Sequence, residues 1–213
     1  MSRVRRICLC LSAVMPLVAC SGSGASDTRS AAEGGDLMIP AVVRKELVRL
    51  GAEDQEVRQD LSPERMQDTV FAKRMLRGDS VRTARLQAIV EAYGWPDSAR
   101  VGSEAAQAAF LILQHSPVHE FQKEMLPVLE DLAKRDAVPR DQAALLIDRV
   151  LMHEGLPQRY GTQFTIDNGR MLLHPVEDEA ALEERRRSMG LPSMEEYMRL
   201  MEEAYGVPVA RQP

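Results

Sequence analysis

The stretch EAAQAAFLILQH, residues 104 to 115, constrains the fold more than any other part of the chain. It is apolar around almost its whole circumference, and a helix with no polar face has to be enclosed by other elements. Ser103-Glu104 opens it with a cap and a first-turn acid, and Ser116-Pro117 ends it. Its neighbours then need one apolar stripe each. Residues 40 to 59 carry Val43, Leu47, Leu50 and Val57 at helical spacing. Ser62-Pro63-Glu64 reads as the start of a second helix, which Gly78-Asp79-Ser80 is expected to break before residues 81 to 93 resume. Gly94 closes that run, and Trp95-Pro96 prevents its continuation. Further helices are expected over VHEFQKEMLPVLEDLAKRD, over 141–154 up to Gly155, over 178–189, and over 194–205 behind the cap Ser193.

One segment departs from this pattern. In RYGTQFTIDNGRMLLHPV, residues 159 to 176, two short runs flank Asn168-Gly169, the strongest short-range sign of a hairpin. Two strands alone are marginal, so the hairpin must lean on helices. The expected fold is mainly α, a single helical domain with a small two-stranded β-hairpin near residues 160–175. About 175 residues from Leu37 onward suffice for one hydrophobic core. The domain is therefore placed at 37–213.

The first 36 residues read differently. Arg3, Arg5 and Arg6 precede an apolar run from Ile7 to Ala19. Thirteen helical residues at 1.5 Å each span about 20 Å, short of a bilayer core of roughly 30 Å. A removable signal peptide over residues 1–19 fits better than a membrane-spanning helix. Leu17-Val18-Ala19-Cys20 resembles the bacterial lipoprotein box. That resemblance implies a diacylglyceryl thioether on Cys20, cleavage after Ala19 and usually a further acyl chain such as palmitate on the new amine. Cys8 and Cys10 lie in the segment removed, so the mature chain has one capped cysteine and no disulfide framework. One acyl chain anchors only marginally, whereas two or three hold a protein on the membrane. Ser21 stands where aspartate would signal inner-membrane retention, which favours the periplasmic face of the outer membrane if the organism has two membranes. Residues 20–36, Gly-, Ser- and Ala-rich after Cys20, form a flexible linker.

Removing residues 1–19 takes three arginines and no acids, leaving 24 Lys+Arg against 32 Asp+Glu. An acidic domain argues against nucleic acid and against docking on anionic lipid. The expected partner is the membrane, through the anchor on Cys20. No P-loop, G-x-G-x-x-G, G-x-S-x-G or EF-hand pattern is present. His115 and His119 share helical spacing, but Pro117 between them separates two helices. His153-Glu154 lacks the second histidine of the zinc-protease helix. Neither a metal site nor a cofactor is expected. The run Arg185-Arg186-Arg187 after Glu183-Glu184 reads as a solvated, self-paired patch. Met194, Met198 and Met201 read as core packing.

GWP (94–96), LILQHS (111–116), LIDRVL (146–151) and GLPQRYGTQF (155–164) together resemble the bacterial family of domain of unknown function 6624. The tail PVEDEAALEERRRSMGLPSMEEYM looks like the end of the same family. The resemblance covers roughly residues 80 to 205 and implies no reaction, substrate or cofactor. It draws attention to a few polar residues. Gln114 and His115 end the most apolar helix, beside a proline break, where a pocket is commonly found. Arg159, Tyr160 and Gln163 lie on a loop that could fold over it, and Trp95 adds an aromatic face. That set suits a small anionic or carbonyl-bearing ligand. It equally suits a buried polar network fixing the hairpin to the helices. Three functions follow: a lipid-anchored envelope protein serving as a binding or interaction module, an envelope hydrolase using His115 with Gln114, Arg159 and Gln163, and a structural envelope component.

Overall fold

A computed structural model describes residues 39–59, 61, 65, 68–167 and 169–211. The signal segment, Cys20, the linker, the helix start at Ser62-Pro63-Glu64 and Asn168 of the hairpin turn lie outside the described residues. In chain order the elements are α1 (Ala41–Arg58), α2 (Thr69–Tyr93), α3 (Ser98–Val101), α4 (Ser103–Gln114), α5 (His119–Lys134), α6 (Arg140–His153), β1 (Phe164–Asp167), β2 (Arg170–Leu173), a 3-10 turn (Glu179–Ala181), α7 (Leu182–Ser188), α8 (Met194–Tyr205) and β3 (Val209–Arg211).

The apolar stretch is α4, buried from Ala108 to Gln114. It sits in a first core with Leu47 and Leu50 of α1, Leu86 and Ile89 of α2, Leu129 of α5 and Leu146 of α6. Small residues let the central helices approach. A methyl on Gly51 of α1 would stand 2.5 Å from Ala108 Cβ, closer than real carbon contacts, so this crossing requires glycine.

A second, smaller core gathers Phe164, Met171, Leu173, Leu182, Met194, Tyr197, Met201 and Val209. Met194 and Met201 are buried here, and Met198 packs alongside. The sheet explains the alternation. β1 and β2 pair antiparallel with Phe164 opposite Leu173, so Met171 and Leu173 point to the same buried face. Tyr197 packs beside Phe164, ring centroids 5.8 Å apart.

Three expectations need correcting. The hairpin is part of a three-stranded sheet, because the C-terminal β3 pairs parallel with β2, Met171 against Val209. That pairing covers an edge the hairpin would otherwise expose, and a strand arriving from distant sequence leaves no local trace. Gly78-Asp79-Ser80 does not break α2, which runs unbroken for 25 residues. This helix is capped at Asp68, whose side chain accepts from the Val70 and Phe71 N–H groups. The ion pairs that Asp79 makes, described below, outweigh the cost of one helical glycine. The expected helix 178–189 begins as a 3-10 turn and is α-helical only over Leu182–Ser188.

Candidate functional site

The apolar stripes of α1 and α2 turn charged where they approach the second core. Along α1, Val43, Leu47 and Leu50 are followed on the same face by buried Asp54, with Arg58 one turn on. Along α2, Ile89 and Leu86 lie in the first core and Met75 packs on the second, with buried Arg82 and Asp79 between. Gln114 and His115 end α4 at this level, and α6 contributes Asp148 and Arg149, both fully buried. The two cores thus meet across a buried polar layer. Ions are found inside a protein only when paired or hydrogen-bonded.

At the centre of that layer is a carboxylate–imidazole pair. Asp54 Oδ2 lies 2.8 Å from His115 Nδ1. Arg58 donates to Asp54 Oδ1 at 2.8 Å and, through its other terminal nitrogen, to both oxygens of Asp79 at 2.9 Å. Arg82 donates to Asp79 Oδ1 at 2.6 Å, and its Nε stands 3.5 Å from Asp54 Oδ1. Burial alone would raise the pKa of Asp54. The hydrogen bond from His115 and the charges of Arg58 and Arg82 outweigh burial and hold the carboxyl below its ordinary value. Burial, then the charges of Arg58 and Arg149, push His115 below its ordinary value against the opposing pull of Asp54. The pair is therefore an ionised carboxylate and a neutral imidazole at neutral pH. With Nδ1–H donated to Asp54, Nε2 carries the lone pair. His115 Nε2 is buried and makes no hydrogen bond among the described residues, and neither does Gln114 Oε1. Tyr205, at the end of α8, lies within the fields of Arg58 and Arg149, and burial raises its phenol to about 12.

The expected site residues part company. Gln114 and Gln163 meet, both donating their amides to the Leu145 carbonyl at 3.4 Å. Gln163 also donates to Thr162 Oγ1 at 2.8 Å. His115 lies beside Gln114 in sequence but bonds into α1. Trp95 is buried in the first core, away from this pair, and its carbonyl accepts from Arg100. Arg159 points outward, half-exposed, 3.6 Å from Glu177. The Tyr160 side chain lines a separate cavity of about 340 Å³ with Ala143, Ile147 and Met189.

Asp148 organises the loop between α6 and β1. Its carboxylate accepts from the N–H groups of Arg159 at 2.7 Å, Tyr160 at 3.0 Å and Thr162 at 3.0 Å, and from the Thr162 hydroxyl at 2.9 Å. Gly161, inside this wrap, has φ of +66°, and a Cβ there would meet Met194 Sδ at 3.1 Å. The carbonyls turned the other way are taken by Arg186, which is fully buried, donates to Pro192, Tyr160 and Gly161, and lies over the Tyr197 ring at 4.9 Å. Arg185 binds the Arg159 and Asp178 carbonyls. Arg185 and Arg186 are thus not part of a solvated patch, whereas Arg187 is exposed. These two strap α7 to the loop, because loop carbonyls leaving a helix or strand need donors when buried.

Sequence reasoning missed Asp54, Arg58, Asp79, Arg82 and Tyr205. For the first four a sign was present: an acid and an arginine three or four residues apart, at positions that continue an apolar stripe. Among the described residues, no three His, Cys, Asp or Glu side chains gather as a metal site, and no helix is long and apolar enough to cross a membrane. Comparison with known proteins adds one finding: a family of unknown function, DUF6624, matches residues 41–210. No curated protein and no solved structure matches the chain.

Proposed function

Because the chain belongs to the DUF6624 family of unknown function, we propose its activity from the Asp54–His115 pair: a lipid-anchored cell-envelope protein whose domain carries a proton-transfer site of hydrolase type. The carrying observation is His115 itself, with Nδ1 held by Asp54 and Nε2 buried without a hydrogen-bond partner among the described residues. A histidine serving only as scaffold is expected to satisfy both nitrogens, since buried polar atoms are nearly always paired. One whose far nitrogen is left open, neutral and oriented by a carboxylate has the arrangement of a general base. Nε2 takes a proton from water as the water oxygen attacks an acyl or phosphoryl centre, and returns it to the leaving oxygen. Gln114 Oε1 is a second buried atom left for a ligand. Arg159 drops out of the role the sequence suggested for it.

The anchor reading rests on Leu17-Val18-Ala19-Cys20 behind the basic and apolar segments. The outer membrane's periplasmic face remains the favoured address in a two-membrane organism. Full-length protein in detergent, assayed on p-nitrophenyl acetate and p-nitrophenyl phosphate, tests the activity. His115→Gln should lower turnover at least ~100-fold, the size of a general-base contribution. Equal turnover in a folded variant would remove His115 from the chemistry. Mass spectrometry of the mature N-terminus should find acyl chains on Cys20, and Cys20→Ser should move the protein from the membrane fraction to the soluble one.

A further inference from the structure

We infer that the cavity beside Tyr160 binds a free α-amino acid with an apolar side chain, at a second site independent of the Asp54–His115 pair. The cavity, about 340 Å³, lies where α5 and α6 meet the loop before β1 and the end of α7. That volume falls among small-molecule sites, about 300–1,000 Å³. Small side chains open it. Ala133 of α5 and Ala143 of α6 are both buried and stand where larger residues would fill the space. Ile147 and Met189 complete an apolar wall. Tyr160 carries the inference. Its N–H is held by Asp148 at 3.0 Å and its carbonyl by Arg186, so the backbone presenting the ring is pinned from both sides. The half-buried phenol itself makes no hydrogen bond among the described residues. A tyrosine fixed at an apolar hollow with its hydroxyl unused offers a ligand one wall and one polar contact.

The rim names the class of ligand, because it carries both signs of charge. Glu130 and Lys134 stand one turn apart on α5, and Arg140 begins α6 beside them. Glu130 is close enough to act on the Tyr160 phenol by its charge. Neither Glu130 nor Lys134 forms an ion pair or hydrogen bond among the described residues, and Arg140 pairs with exposed Asp136 at 3.0 Å. An α-amino acid matches this set of groups. Its ammonium meets Glu130, and its carboxylate meets Lys134, Arg140 and the Tyr160 hydroxyl. Its side chain lies against Ile147, the Met189 thioether and the Tyr160 ring. A carboxylic acid without the ammonium would face Glu130 as a like charge, and an amine without the carboxylate would face Lys134 and Arg140 in the same way.

The test is the methionine-methyl NMR spectrum of the full-length protein in detergent, at fixed pH and ionic strength. The probes are L-phenylalanine, L-leucine, 3-phenylpropionate, 2-phenylethylamine and glycine, and Met189→Leu identifies the Met189 resonance. Phenylalanine or leucine should shift that resonance saturably. Phenylpropionate, phenylethylamine and glycine lack the ammonium, the carboxylate and the apolar side chain in turn, and each should bind at least tenfold more weakly. Glu130→Gln should bring the tighter amino acid down to within about twofold of phenylpropionate. Tyr160→Phe, which keeps the ring and the backbone contacts of the loop, should weaken the amino acid several-fold. A Met189 resonance indifferent to both apolar amino acids overturns the inference. So does phenylpropionate or phenylethylamine binding as tightly as phenylalanine, or an amino-acid affinity unchanged in both variants.

Discussion

Two carboxylates, Asp54 and Asp148, occupy the same polar layer with the same 0% exposure, and their surroundings drive them in opposite directions. Burial is the largest influence on both. At Asp148 it prevails: backbone N–H groups and a hydroxyl offset it only in part, and the carboxyl sits above its ordinary value. At Asp54 a hydrogen-bonded histidine and two arginines reverse it. Asp148 closes a loop by hydrogen bonds alone, whereas Asp54 sits in a charged cluster that ends in an open imidazole nitrogen. Divergent titration within one layer marks where structure is being held and where chemistry is available.

The largest expected effect breaks the structural side of that contrast. Asp148→Ala leaves three backbone donors and a hydroxyl without their acceptor, and each such buried group costs about 1–3 kcal/mol, so urea denaturation should show a loss of about 4 kcal/mol or more. A loss under about 1 kcal/mol would mean that the loop is held by other means. His115→Gln should do the reverse. It removes one hydrogen bond, about 1–2 kcal/mol of stability, while ester turnover falls at least ~100-fold.

The contrast should also appear in the pH dependence of stability. The folded pKa of His115 lies below its ordinary 6.5, so as pH falls from 6.5 the unfolded chain takes up a proton that the folded chain refuses. Stability therefore declines over that interval by up to about 1.4 kcal/mol per pH unit, and levels off below the folded value. Asp54, lowered from 3.8, keeps its contribution above that value and loses it only at lower pH. Asp148, raised from 3.8, contributes fully below that value and less as pH rises through its folded value. Subtracting the denaturation profile of His115→Gln from that of the wild type between pH 4 and 7 reports the histidine together with Asp54, which loses the histidine's hydrogen bond in the variant. A difference that stays flat with pH would contradict the assignment of a depressed, neutral His115.

The smallest effect concerns Arg159, which stands outside both regions. Its exposed, 3.6 Å contact with Glu177 should be worth under about 1 kcal/mol. Arg159→Ala should leave ester turnover unchanged. A large fall in turnover would bring the loop back into the site.

Legibility from sequence followed the range of the interactions involved. Caps at Ser193, Gly94 and Gly155 and the stripe in residues 43–50 are local, and they placed α8, α6 and the ends of α1 and α2 within a residue or two. His115, Gln114 and Gln163 were singled out, yet their partners were not. Asp54 lies 61 residues from His115, and Arg58 lies 21 from Asp79. Continuity of α2 through Gly78 was misjudged for the same reason, since the pairing that holds it there comes from another helix.

By itself, then, the sequence determined an all-round apolar helix, the amphipathic helices that must enclose it and a short antiparallel turn of chain. Helix period, caps and turn residues act over a few positions and require no knowledge of the rest. Tertiary structure decided which charges became buried and which nitrogen stayed open. It also brought β3 onto β2 and Arg186 beneath the Tyr160 loop. Such outcomes depend on which distant groups desolvate one another, and an ion's cost inside a protein is fixed only once its neighbours are in place.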